Sequence, residues 1–148
     1  MTDRPWAPAI AVLVGGAAAI VGTFLPWFRS GAVDRSSYEL FDVVERLGFA
    51  PGGAVGWLLR LWPLVPLLFV IGIVVQFLSD DYPGIVFVRW IVPFAAAVYS
   101  GGVAVGLQFA PEAGLFSFRY GVVVTATGSL IVLTALLGPW LGGAFRPR

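Results

Sequence analysis

Four long stretches of this chain carry no charge. No Asp, Glu, Lys or Arg occurs between Arg4 and Arg29, Arg60 and Asp80, Arg89 and Glu112, or Arg119 and Arg146. An α-helix rises about 1.5 Å per residue, so about 20 apolar residues cross a hydrocarbon core roughly 30 Å thick, and each interval has that length. The runs are continuously apolar and rich in Ala, Leu, Val and Gly, without the alternation of a transmembrane strand. Of the 148 residues, 59% are hydrophobic and 11% charged, which leaves more apolar surface than a water-soluble domain can cover. The expected fold is therefore all-α, an integral membrane four-helix bundle forming one domain over residues 1–148. Its spans are placed at about 6–28, 55–78, 85–109 and 121–141. Arg4 ahead of a run holding Ala17-Ala18-Ala19 is also a leader-like pattern, but the first run is read as a retained span.

The longest polar interval, from Arg29 to about Val55, should hold an extramembrane element. Ser36-Ser37-Tyr38-Glu39 matches a capping box, and Gly48 is a natural helix stop, so a short amphipathic helix is expected at about 37–47. Tyr38, Leu40, Phe41, Val44 and Leu47 give it an apolar side, while Glu39, Asp42, Glu45 and Arg46 lie mostly opposite. Acidic residues outnumber Arg on that polar side, which disfavours anionic headgroups and points to docking on protein, either this chain's Phe116 and Phe118 or another subunit. Within the spans, small residues spaced for close helix approach are Gly15 and Ala19, Gly102 and Gly106, and Gly121, Thr125 and Ser129. Trp6, Trp27 and Phe28 are expected at headgroup level. Pro63 and Pro66 should bend the second span, Asp80-Asp81-Tyr82-Pro83-Gly84 should turn tightly into the third, and Arg89 should pair with Asp80 or Asp81.

Chemistry is scarce in this sequence. With no Cys and no His, thiolate and imidazole chemistry and the commonest metal ligands are excluded, and a Ser nucleophile has neither a His nor a Lys base. Gly15-Gly16 and Gly52-Gly53 lack the Lys or the spacing of a phosphate loop. Proton- and ion-coupled carriers place ionisable groups inside their spans, and these runs hold none. A formal charge of +1, with all nine basic residues being Arg spread along the chain, argues against nucleic acid. No cofactor, metal or catalytic residue is expected.

Around the first loop, Leu25-Pro26-Trp27, Ser30-Gly31, Arg35-Ser36-Ser37-Tyr38-Glu39-Leu40 and Arg46-Leu47-Gly48 make the chain resemble uncharacterised small four-span membrane proteins of actinobacteria. The resemblance implies a bacterial plasma-membrane location and a membrane plan, not a mechanism. The expected role is a non-enzymatic accessory or scaffolding subunit of a larger cell-envelope complex, with a lipid transporter among the candidates. The alternatives are a small homo-oligomeric channel or carrier and, less in keeping with the residues, a lipid-modifying enzyme. Expected partners are membrane lipid and another membrane protein or a second copy. Arg is divided almost evenly between the two sides, so the positive-inside rule does not orient the chain; cytoplasmic termini are expected because a structured first loop facing outward suits an even number of spans.

Overall fold

The computed structural model describes residues 6–46, 54–78, 83–108 and 116–144. The chain is mostly helical, and three helices, α1 (Trp6–Phe24), α5 (Pro83–Gln108) and α6 (Tyr120–Ala144), are long and apolar enough to cross a membrane. These mark it as a membrane protein. The second apolar run is broken into α3 (Ala54–Arg60), a 3-10 turn at Trp62–Leu64 and α4 (Val65–Gln76). Pro63 and Pro66 account for the break, because each removes an amide from the helical ladder and disfavours helical geometry in the residue before it.

Buried positions on α1 recur every three or four residues, at Val12, Gly15, Gly16, Ala19, Gly22 and Thr23, which gives the helix one contact face. That face meets α6 so closely that a Cβ on Gly15 would lie 2.8 Å from the Gly128 carbonyl oxygen. In turn α6 packs on α5, α5 on α4, and α4 on α1, closing a ring of helix contacts. Where α5 meets α6, Ser100 Oγ lies 2.9 Å from Ser129 Oγ. These hydroxyls also reach their own helices, Ser100 to Ala96 O at 2.7 Å and Ser129 to Thr125 O at 2.8 Å. A polar group buried among spans thus needs no water.

Between α1 and α2 (Ser37–Arg46) lies an element absent from the sequence expectation, a three-stranded antiparallel sheet. Strands β1 (Pro26–Ser30) and β2 (Val33–Ser36) form a hairpin, and β3 (Phe116–Phe118), just before α6, pairs with the other edge of β1. Gly31, at φ 60, occupies the first central position of the two-residue hairpin turn, and Ala32 has negative φ, the combination of a type II′ turn. The first helix therefore ends at Phe24 and not near residue 28. Trp27 and Phe28, expected as headgroup-level rings, are buried instead. A register shift between Pro26 and Phe28 lets these two consecutive side chains both turn inward, which regular strand alternation forbids.

The small-residue motif on α5 is also placed differently from expectation. The buried face of α5 is Pro93, Ala96, Ala97, Ser100 and Ala104, whereas nothing lies within 4 Å of a Cβ built on Gly102 or Gly106. Methyl-sized residues already let α5 approach its neighbours, so the two glycines face outward. Replacing Gly128 by Leu should therefore cost at least about 1–3 kcal/mol through overpacking against α1, while Gly102→Leu should stay within about 0.5 kcal/mol. Thermal unfolding of the two variants in detergent checks this, and equal losses would contradict the packing.

Candidate functional site

The end of the bundle beneath the sheet is where α1, α2 and the 3-10 turn meet. Pro26 has no amide to offer the Gly22 carbonyl four residues earlier, and the chain leaves the helix before Thr23 O finds a backbone donor. Side chains fill both positions. Trp27 Nε1 donates to Gly22 O at 2.8 Å, and Ser37 Oγ donates to Thr23 O at 2.6 Å. Ser37 Oγ also accepts from Trp62 Nε1 at 2.9 Å, joining α1, α2 and the 3-10 turn at one oxygen. Alongside, Tyr38 Oη donates to Thr23 Oγ1 at 3.2 Å, and Thr23 Oγ1 donates to Ile20 O at 2.7 Å. Burial pushes the Tyr38 phenol above its usual pKa, and the Thr23 contact acts in the opposite direction.

Around these bonds the aromatic rings interlock edge to face. Trp62 has its ring centroid 5.1 Å from Trp27, 5.1 Å from Phe41 and 5.7 Å from Tyr99. Both indoles are essentially without solvent access, Trp27 at 0% and Trp62 at 1%. These packed, buried rings cap the bundle.

The capping box sets α2 on this surface. The Ser36 amide donates to Glu39 Oε2 at 2.7 Å, the Glu39 amide reaches Ser36 Oγ at 3.5 Å, and the helix begins at Ser37 as the pattern requires. Of the five residues expected to dock, Tyr38, Leu40 and Phe41 pack on this chain's own core. The receiving surface is Phe24, Trp27, Trp62 and Thr23, with Phe118 in the same core. The Val44 side chain and all of Leu47 and Gly48 lie outside the described residues.

Gly15, Ala19, Thr125 and Ser129 lie in buried contacts between helices, whereas Gly121, expected to pack on a helix, is buried against Leu25 O and against Pro26 and Trp27 of β1, where the chain has already left α1. Thr125 Oγ1 is buried without a hydrogen-bond partner, turned toward Gly22. On the sheet's polar face, Arg119 reaches across β1 to Asp34, Nε to Oδ1 at 3.2 Å, tying the two outer strands. At the opposite end of the bundle, Arg89 donates to Val75 O near the end of α4 at 3.2 Å and to Leu78 O just past it at 2.7 Å. Asp80 and Asp81, its expected partners, lie outside the described residues. The described residues contain no group of three His, Cys, Asp or Glu positioned for a metal.

Sequence reasoning misses this junction because Ser37 reads only as the first residue of the helix that Ser36 caps. The available signal was local: a Pro four residues after Gly22, immediately followed by a Trp with an indole N–H. Ser37→Ala leaves Thr23 O and Trp62 Nε1 unsatisfied in an apolar surround, so it should destabilise the fold by about 1–3 kcal/mol. It should also alter tryptophan fluorescence. Unchanged stability and emission would remove Ser37 from the junction. Comparison with protein-family models, with curated proteins and with solved structures gives no match.

Proposed function

We propose that this protein is a non-enzymatic, four-span accessory subunit of the bacterial plasma membrane that acts by assembling with another membrane protein. The observation carrying this reading is the outward placement of Gly102 and Gly106. Their Cβ positions meet nothing among the described residues, although the spacing is that of close helix–helix contact in membranes. The described part of the α2 docking face, by contrast, packs on its own chain through Tyr38 and Phe41. On this reading the partner contacts the spans and not α2.

The four-span plan is supported by the broken segment. Trp62 sits level with Thr23 at one end, and the Phe77 ring, just past α4, lies 6.4 Å from Trp6 at the other. The segment thus runs beside α1 over most of its length, a path that matches the thickness α1 would cross. The sheet and α2 are assigned to the outer face and the termini to the cytoplasm, as suits a structured first loop between paired spans. A larger cell-envelope complex, one transporting lipids among the choices, is the setting in which such a subunit would work.

Native purification of the Gly102→Leu/Gly106→Leu variant tests the role. The four-span protein should remain folded and lose its co-purifying membrane partner, whereas a retained partner contradicts the proposal. A homo-oligomer with no other chain would favour self-assembly as a channel or carrier. Topology is read with single cysteines in this Cys-free chain. Those at Ser30 and Ala113 should label from outside and those at Asp81 and Pro147 should not, while exposure of Asp81 together with Ser30 would break the plan.

A further inference from the structure

The two halves of α5 are fastened to different neighbours. Below Pro93, Arg89 is bonded through its guanidinium to Val75 O and Leu78 O of the α4 end. Above it, Ser100 is paired with Ser129 of α6, and Tyr99 packs on Trp62. Between the halves, Pro93 has no amide for the Arg89 carbonyl, and the bond that would hold this turn within α5 comes from α4 instead: Gln76 Nε2 donates to Arg89 O at 2.9 Å. The proline ring sits over Gly72, where an added Cβ would lie 2.9 Å from Pro93 Cβ, so the joint is seated against α4 with no side chain between.

We propose that Pro93 is a hinge between the two halves of α5 and that Gln76 is the latch that holds it closed. Every other turn around it is tied by amide-to-carbonyl bonds inside the helix, which an apolar medium makes costly to open. This turn alone depends on a bond from a side chain that can rotate away. Movement of α4 relative to α1 and α6 would therefore bend α5 here, whichever partner the protein has.

The test uses the full chain in lipid nanodiscs, with spin labels at Phe87→Cys and Val105→Cys, two exposed positions on either side of Pro93. Helix geometry puts these sites about 27 Å apart, within reach of dipolar distance measurement. Gln76→Leu should broaden the distance distribution about twofold, reporting a wider range of hinge angles. Adding Pro93→Ala returns an amide to Arg89 O and should restore the narrow distribution. If the distribution is unchanged in Gln76→Leu, or stays broad with Pro93→Ala, the hinge is overturned. Should Gln76→Leu not accumulate as folded protein, recovery of yield by Pro93→Ala supports the latch and failure to recover overturns it.

Discussion

A carbonyl freed from its helix in an apolar medium has no water to turn to, and the organisation of this protein follows from how each such group is satisfied. Proline creates two of the vacancies, since Pro26 deprives Gly22 O and Pro93 deprives Arg89 O of an amide. Trp27 answers the first and Gln76 the second. The end of α1 leaves Thr23 O, which takes Ser37, and Leu78 O, just past the end of α4, takes Arg89, which also reaches Val75 O beside the Leu78 amide. Each repair brings a side chain from elsewhere in the chain to a defined place. Satisfying the backbone thereby determines where the sheet, α2 and the α4–α5 pair sit.

Between these points the spans are held by close approach. In lipid, helices gain little from burying apolar surface, so contacts depend on small residues and on hydroxyls bonded between or within helices. The α1–α6 contact at Gly15 and Gly128 and the Ser100–Ser129 pair are of this kind. They bring α1 and α6 into backbone contact and join α5 to α6 through a buried hydroxyl pair.

Much of this was legible in the sequence because it followed local rules. Three of the four charge-free runs gave long helices and Ser36 and Glu39 gave the start of α2, while Pro63 and Pro66, read as bending a single span at 55–78, break that run into α3, a 3-10 turn and α4. The sheet was not legible, because β1 and β3 lie far apart in the chain and β3 has only three residues. Its hairpin did leave a trace, a Gly at the first turn position after Ser30. The motif at Gly102 and Gly106 showed where helices could approach closely without showing whether the partner lies in the same chain; Ala96, Ala97 and Ala104 took that role internally. Likewise the Trp27 indole reads as an interfacial anchor, since only the fold reveals its buried acceptor.

The Trp27 and Trp62 indoles give the most direct test of the claim that side-chain recapture of backbone and hydroxyl groups builds the cap. In a proton–deuterium exchange experiment on the protein in nanodiscs, the six tryptophans give separate indole N–H signals, assignable by single Trp→Phe replacements. The account predicts that Trp27 and Trp62 exchange far more slowly than the exposed Trp57, and that Ser37→Ala speeds exchange at Trp62 while leaving Trp27 the more protected of the two. Exchange of Trp27 and Trp62 as fast as Trp57 would contradict it.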